Sequence, residues 1–249
     1  MLIHKPNGHY CFLKGIAPYS CGVVADEGWE IVHATLAQPL PWRAGFDRIE
    51  AQLRELGRDR HALCAMELRS PAPFTMQGFL DFNRDYCDVL ASWDLYVNGD
   101  NPVARTNVAP VTAPPSIVML HSFSCTVEAT ADQPSTLVVA GAGELRGGSL
   151  DDTAIIRRGH VDSRSMYEKA TYVMDVMEER LAGLGGSWAA VNAVDVYTCH
   201  PVDQLLKDLV WKRVGPARHH GVRLHDTRPP VIDIEFEMDV RSVRSELVI

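Results

Sequence analysis

Two arginines stand at matching places in the chain. Arg105 lies in "NPVARTNVAP", residues 101–110, and Arg218 in "GPARHHGVRL", residues 215–224. Each follows a Pro-containing step ending in Ala, at the edge of an apolar run. A guanidinium is planar, stays charged and presents a fork of donors that matches a carboxylate. Downstream of each arginine comes a glutamate on an alternating segment: Glu128 in "SFSCTVEAT" and Glu235 in "VIDIEFEMDV". A carboxylate within hydrogen-bond reach of a water can take its proton and return it to a leaving group. Tyr19 follows Pro18 in a turn-like stretch and offers a hydroxyl. The bland alternatives are surface ion pairs for the arginines, a solvated strand face for the glutamates (Asp233, Glu237 and Asp239 share that face), and simple packing for Tyr19.

Metal and phosphate chemistry find less support. His219 and His220 are adjacent, so on a strand they point to opposite faces and do not readily ligate one ion. No H-x-x-x-H or H-E-x-x-H spacing exists, and "AGAGELRGG" has the wrong order for a phosphate loop. We therefore expect no metal and no cofactor. One of the two histidines, His219 above all, remains a candidate donor beside Arg218.

The elements that must carry these residues repeat. "FDRIEAQLRELG" places Phe46, Ile49, Leu53 and Leu56 on one helical stripe that stops at Gly57. "SMYEKATYVMDVMEERLAGLGG" does the same with Met166, Ala170, Val173, Met177, Leu181 and Leu184, stopping at Gly185 and Gly186. A strand-like run follows each ("HALCAMELRS", "AAVNAVDVYTC"), then a second helix ("FLDFNRDYCDVL", "VDQLLKDLVWKRV"), then the arginine and a final period-two strand. The order points to a diverged duplication of an α+β unit, a mixed sheet with two helices on one face. The polar stretch "TADQPS", residues 130–135, marks the boundary, giving units 1–131 and 132–249. A sheet face left open by its helices must meet another copy or the other half.

Length and composition fit this reading. The chain has 249 residues, 46% hydrophobic, with net charge −8. No basic cluster suits a phosphate backbone, so nucleic acid is not an expected partner. No run reaches the ~18–20 apolar residues of a membrane span, and the start lacks the pattern of a signal peptide. We expect a cytoplasmic protein with no membrane contact. Its six scattered cysteines, none in a C-x-x-C pair, read as small hydrophobes rather than disulfides.

"GIAPYSCGVV", "FNRDYCDVL", "NPVARTNVAPV" and "CTVEATA" together resemble the RidA (YjgF-type) family of enamine/imine deaminases. That pattern runs G-P-Y-S, then N-x-x-Y in the second helix, P-x-R-T and an acidic final strand. The second half is similar through "GPARHHGV" and "VIDIEFEMDV". The resemblance implies two tandem chorismate-mutase-like units and a homo-oligomer, usually a trimer, with sites in clefts. It implies Arg105, with Thr106, and Arg218, with His219 in place of the threonine, as substrate-carboxylate clamps. It implies Glu128 and Glu235 as the groups positioning water, and Tyr19 beside them. The position after R-T, often cysteine in the family, is Asn107 here. The implied activity is metal-independent hydrolysis of a small enamine or imine acid to a 2-keto acid and ammonia. The specialised expectation is 2-aminomuconate or a chlorinated analogue, met in aromatic-compound degradation, because two arginines per chain suit a dicarboxylate. The alternatives are a chorismatase-like hydrolase and a non-catalytic ligand-binding protein of this fold.

Overall fold

The structure, a computed structural model, describes residues 1–130, 134–148 and 151–249. The predicted unit boundary at 131/132 lies outside the described residues. All described strands join one twelve-stranded sheet in the order β1-β2-β3-β8-β11-β9-β10-β6-β5-β7-β4-β12. The first half supplies β4 (Trp29–Pro41), α1 (Trp42–Glu55), β5 (Leu63–Arg69), α2 (Met76–Ser92), β6 (Ala104–Pro110) and β7 (Met119–Glu128). The second supplies β8 (Leu137–Gly143), α3 (Ser163–Gly183), β9 (Ala193–Thr198), β10 (Arg223–Arg228) and β11 (Glu237–Ser242). Between β9 and β10 the chain makes two helical turns, α4 (Asp203–Leu205) and α5 (Trp211–Arg213), around a π-helical stretch, Leu206–Val210. The central pair β10 and β6 touches through Thr227↔Pro110 and Arg228↔Ala109. Outward from it the halves read alike: β6-β5-β7-β4 on one side, β10-β9-β11-β8 on the other. This is the α+β duplication that the repeated order predicts. In each half one neighbouring pair is parallel, β5 with β6 and β9 with β10, which requires a crossover connection. The second helical segment of each half provides it.

The chain ends cross between the halves. β1 (Leu2–Lys5), β2 (Tyr10–Leu13) and β3 (Gly22–Ala25) form an antiparallel meander that pairs with β8 of the second half. β12 (Ser245–Val248) pairs in parallel with β4 of the first half.

The helices form where the stripes lie. Thr75 caps α2 by accepting from the Gly78 amide, and Asp162 caps α3 by accepting from the Arg164 and Ser165 amides. Gly57 and Gly185 follow the ends of α1 and α3 at φ 70° and 74°, a left-handed geometry that favours glycine. α1 and α2 cover one core with Phe46, Ile49, Leu53, Tyr86 and Leu90 over β5 and β7. α3 covers another with Met166, Val173, Met174, Met177 and Leu181. A third core lies between the halves: Phe12, Val23, Cys64, Ala65, Val138 and Ala140 come from strands of both, on residues alternating with those under the helices except at the register shift between Leu63 and Ala65. The helix-free faces therefore pack on each other within one chain. All six cysteines are free, Cys64 and Cys125 fully buried. Among the described residues no helix is long and apolar enough to cross a membrane.

The last strand of the second half departs from the sequence pattern. Its alternation begins at Ile232, but strand pairing begins only at Glu237. The reason is a side chain. Glu144 accepts the amides of Glu235 and Phe236 at 2.7 and 3.0 Å, in place of a neighbouring strand. Asp233, at φ 73°, turns the chain just before.

Candidate active site between the two halves

A cavity of about 590 Å³ opens where the N-terminal meander, the first half and the second half meet. Tyr19, Arg105 and Asn107 line it from one side; Gly141, Arg180 and Glu237 line it from the other.

Arg105 is the second residue of β6 and is buried. Its Nη2 donates to Asn83 Oδ1 at 2.6 Å. Its guanidinium lies 4.6 Å from the ring centre of Tyr86 and 5.0 Å from that of Tyr19, distances at which ring faces attract a cation. Asn83 and Tyr86 are three apart on α2 and so share a helix face. They are the Asn and Tyr of the N-x-x-Y pattern, which the sequence left without a role; together they aim the arginine. Nη1 is buried without a hydrogen-bond partner, and no carboxylate of the described residues lies within ion-pair distance. Burial lowers the pKa of Arg105, yet an arginine does not deprotonate in proteins. The cavity thus holds a fixed positive charge with one donor unspent. Asn107 adds a second. Its Oδ1 accepts from Ser70 Oγ at 2.9 Å, while its Nδ2 is buried and unpartnered.

Glu237, the first residue of β11, is buried on the opposite wall. Burial pushes its carboxyl well above the ordinary carboxylate range, and Asp239 and Glu144 push it further; Arg180 and Arg105 oppose the shift. The shift favours the protonated form of Glu237, so its carboxyl is a candidate proton donor in place. Its fit needs Gly141: a Cβ there would collide with Glu237 Oε1 and lie 3.0 Å from Thr106 Oγ1. Upstream, the Glu144 carboxylate that holds the amides of Glu235 and Phe236 is itself held by Lys169 Nζ at 2.9 Å, both side chains fully buried. This pair fixes the backbone that delivers Glu237 to the cavity.

Arg180, near the C-terminal end of α3, donates from Nη1 to the carbonyls of Ala140 and Gly141 at 2.9 and 3.3 Å. Tyr19 sits in a tight turn in which Ile16 and Tyr19 exchange backbone hydrogen bonds. Burial raises its pKa, against the pull of Arg105 and Arg180, so its hydroxyl stays protonated.

The other residues singled out from the sequence lie elsewhere. Thr106 is buried behind the cavity wall, donating to Asp239 Oδ2 at 2.7 Å and accepting from the Gly141 amide at 3.0 Å. It ties β6 to β8 and β11. Glu128 is exposed at the end of β7, opposite Trp29. Glu235 turns away from the cavity and accepts from His200 at 2.7 Å. Arg218 and His219 are exposed on the 3-10 helix Gly215–His220, upstream of β10. Their segment is not the counterpart of β6, because the second half enters its strand only at Arg223. Sequence reasoning passed over Glu237 and Arg180. Glu237 had a signal, its place on the same alternating face as Glu235. Arg180 had only its place beside the buried Leu181 at the end of the α3 stripe.

Two clusters have the ligand types for a metal ion, His4 with Cys11 and Asp26, and Cys199 with His200 and Glu235. Neither lines the cavity.

Comparisons with known proteins show the family of the chain. The 2-amino-5-chloromuconate deaminase of Comamonas testosteroni is 37% identical over 251 residues, covering all of this chain and 98% of that protein. The crystal structure of a chorismatase superimposes with a TM-score of 0.51 at 15% identity, over 89% of this chain and 77% of that one; this likeness concerns the fold alone. The model of the 2-aminomuconate deaminase CnbZ family matches residues 2–247, and the chain belongs to that family.

Proposed function

We propose that the protein is a hydrolytic deaminase of 2-aminomuconate or a chlorinated analogue, and that the cavity between its halves is the active site. The observation that carries this reading is the pairing, across one cavity, of a buried arginine with an unpartnered Nη1 and a buried glutamate whose charged form burial disfavours. Arg105 binds a substrate carboxylate through Nη1, helped by Asn107 Nδ2. Fixing the acid in this way removes much of the orientational cost of the reaction.

The chemistry then needs protons moved at defined atoms. The substrate is an enamine, its amino group borne on a carbon–carbon double bond that is conjugated to a second one. Glu237 gives its proton to the carbon end of the conjugated system, and the enamine becomes an iminium ion. The Glu237 carboxylate, now charged between two arginines, takes a proton from a water as that water's oxygen bonds to the iminium carbon. The same proton passes to the amine of the resulting carbinolamine. The C–N bond breaks, ammonia leaves, and loss of the hydroxyl proton yields the 2-oxo acid and restores the protonated Glu237. One water is consumed and one ammonia released. Tyr19, protonated and beside the arginine, donates to the carboxylate or holds the water.

All these groups belong to one chain. Assembly into a homo-oligomer, which rests on the family resemblance, and a cytoplasmic location, which rests on the sequence pattern, belong to the same proposal; sedimentation of the purified protein reads the former. The activity test is ammonia release with loss of the diene absorbance on incubation with 2-aminomuconate. Release from 2-aminomuconate supports the reading. Release only from a simple amino-acid imine, or turnover of chorismate without ammonia, contradicts it.

A further inference from the structure

We infer that Arg180 forms a second carboxylate subsite in this cavity, so that the protein selects a dicarboxylate over a monocarboxylate of the same length. The inference rests on the deaminase reading and assigns a partner to the substrate's far end. The sequence offered Arg218 for that end, but Arg218 is exposed on a 3-10 helix outside the cavity.

Four observations carry the assignment. First, Arg180 lines the same cavity as Arg105 and, like it, has no carboxylate within ion-pair distance among the described residues. Second, it is aimed. Nη1 is held by the carbonyls of Ala140 and Gly141, while Nε and Nη2 have no protein partner among the described residues. A guanidinium anchored at one corner presents its remaining donors in a fixed direction, and little side-chain entropy remains to be lost on binding. Third, the two arginines approach from opposite halves, Arg105 on β6 held by α2, Arg180 on α3 held by β8, with Glu237 close enough to feel both. A diacid with one carboxylate on each arginine would span the cavity that Glu237 also lines.

The fourth concerns charge. Glu237 makes no ion pair with either arginine, and its burial and the acidic Asp239 and Glu144 beside it disfavour its charged form. Lys14 at the rim is already paired with Asp100 at 2.9 Å, and Glu179 at the rim is exposed to water. Two guanidinium charges in a cavity are best met by two carboxylates. A monoanion would leave one of them uncompensated.

Binding of nitrogen-free analogues isolates the subsite from catalysis. Titration calorimetry of the full-length protein would compare muconate, a six-carbon dienedioate, with sorbate, the six-carbon dienoate bearing one carboxylate. Wild type should bind muconate roughly tenfold to hundredfold tighter, the range of one charge-assisted hydrogen-bonded contact. Arg180→Gln should bring the two ligands to within about threefold by weakening muconate alone, since the lost contact is the only one in which they differ. Arg105→Gln should weaken both. Arg180→Lys keeps the charge but loses the fork, and should keep part of the preference. Equal weakening of muconate and sorbate in Arg180→Gln, or no preference in wild type, overturns the subsite. A wild type that prefers muconate but releases no ammonia from 2-aminomuconate overturns the deaminase reading and leaves the subsite standing.

Discussion

Arg105 and Arg241 are both buried where the two halves meet, and they are opposite in kind. Arg241, on β11, is surrounded by acids. Its Nη1 lies 2.8 Å from Glu67 Oε1 on β5 and 3.5 Å from Asp239, and its Nη2 lies 3.2 Å from Asp195 on β9. Glu67 belongs to the first half and the other two to the second, so this arginine joins the halves. Glu67 is held below the usual carboxylate range by Arg241, His33 and Arg69, against its own burial. Arg105, at similar burial, has four aromatic rings within about 6 Å (Tyr19, Phe79, Phe82 and Tyr86), one amide oxygen and no acid within ion-pair distance among the described residues. A buried guanidinium without a counter-charge is costly, and folding alone gives no reason to keep it. The same residue type thus acts as a joint at one contact and as an unfilled binding group at the other. The difference lies in the neighbours.

That contrast can be broken by exchanging the readouts. Arg241→Gln strands Glu67 and Asp195 in the interior and should cost roughly 3–5 kcal/mol of stability, seen in urea unfolding. Arg105→Gln should leave stability within about 1 kcal/mol of wild type, or raise it, while kcat/KM falls about a hundredfold or more. If Arg105→Gln unfolds the protein as severely as Arg241→Gln, the two arginines are not distinct in kind.

A smaller effect sharpens the acidic side of the joint. Burial raises Asp239 from 3.8 to about 8, with Glu67 and Asp195 adding to the rise. The native state therefore holds a proton that the unfolded chain has lost, so this contribution to stability is full at low pH and is lost as pH rises towards 8. His33 and His121 act oppositely, because burial lowers both from 6.5 to about 4 and the unfolded state binds the extra protons below 6.5. Above pH 6.5 the histidines no longer contribute, and the raised Asp239 sets the slope, Glu237 being shifted in the same direction. Stability should fall between pH 6.5 and 8, and Asp239→Asn should flatten that slope by up to ~1.4 kcal/mol per pH unit. Parallel slopes in the two proteins would place the titrating proton elsewhere.

Much of this was legible in the sequence where the information is local. The stripes of α1 and α3, their terminating glycines and the repeated order of elements follow from periodicity and backbone preference. Arg105 was marked by its P-x-R-T setting, and Asn83 and Tyr86 by their spacing. What escaped depends on contacts between distant segments. Period two cannot choose between Glu235 and Glu237, which share a parity. Glu144, some ninety residues away, makes the choice by capturing two amides and turning Glu235 towards His200. The pairing of β1–β3 with β8 and of β12 with β4 leaves no local mark, since any strand edge of suitable face would serve. Arg180 carries no local mark either, since its aim is set by the carbonyls of Ala140 and Gly141 on β8. Arg218 matched a pattern in letters, but its segment forms a 3-10 helix and not the start of a strand.

We propose that Glu237, not the glutamates at the alternating positions first singled out, moves the protons in this cavity. The direct measurement is steady-state ammonia release from 2-aminomuconate by Glu237→Gln, Glu235→Gln and Glu128→Gln, each shown to be folded by its thermal transition. Glu237→Gln should lose about 10²–10⁴-fold in kcat, the usual worth of a positioned acid–base group. The other two should stay within about threefold of wild type, as expected of groups outside the site. Near-normal turnover by Glu237→Gln, with loss of activity in Glu128→Gln or Glu235→Gln, would contradict it.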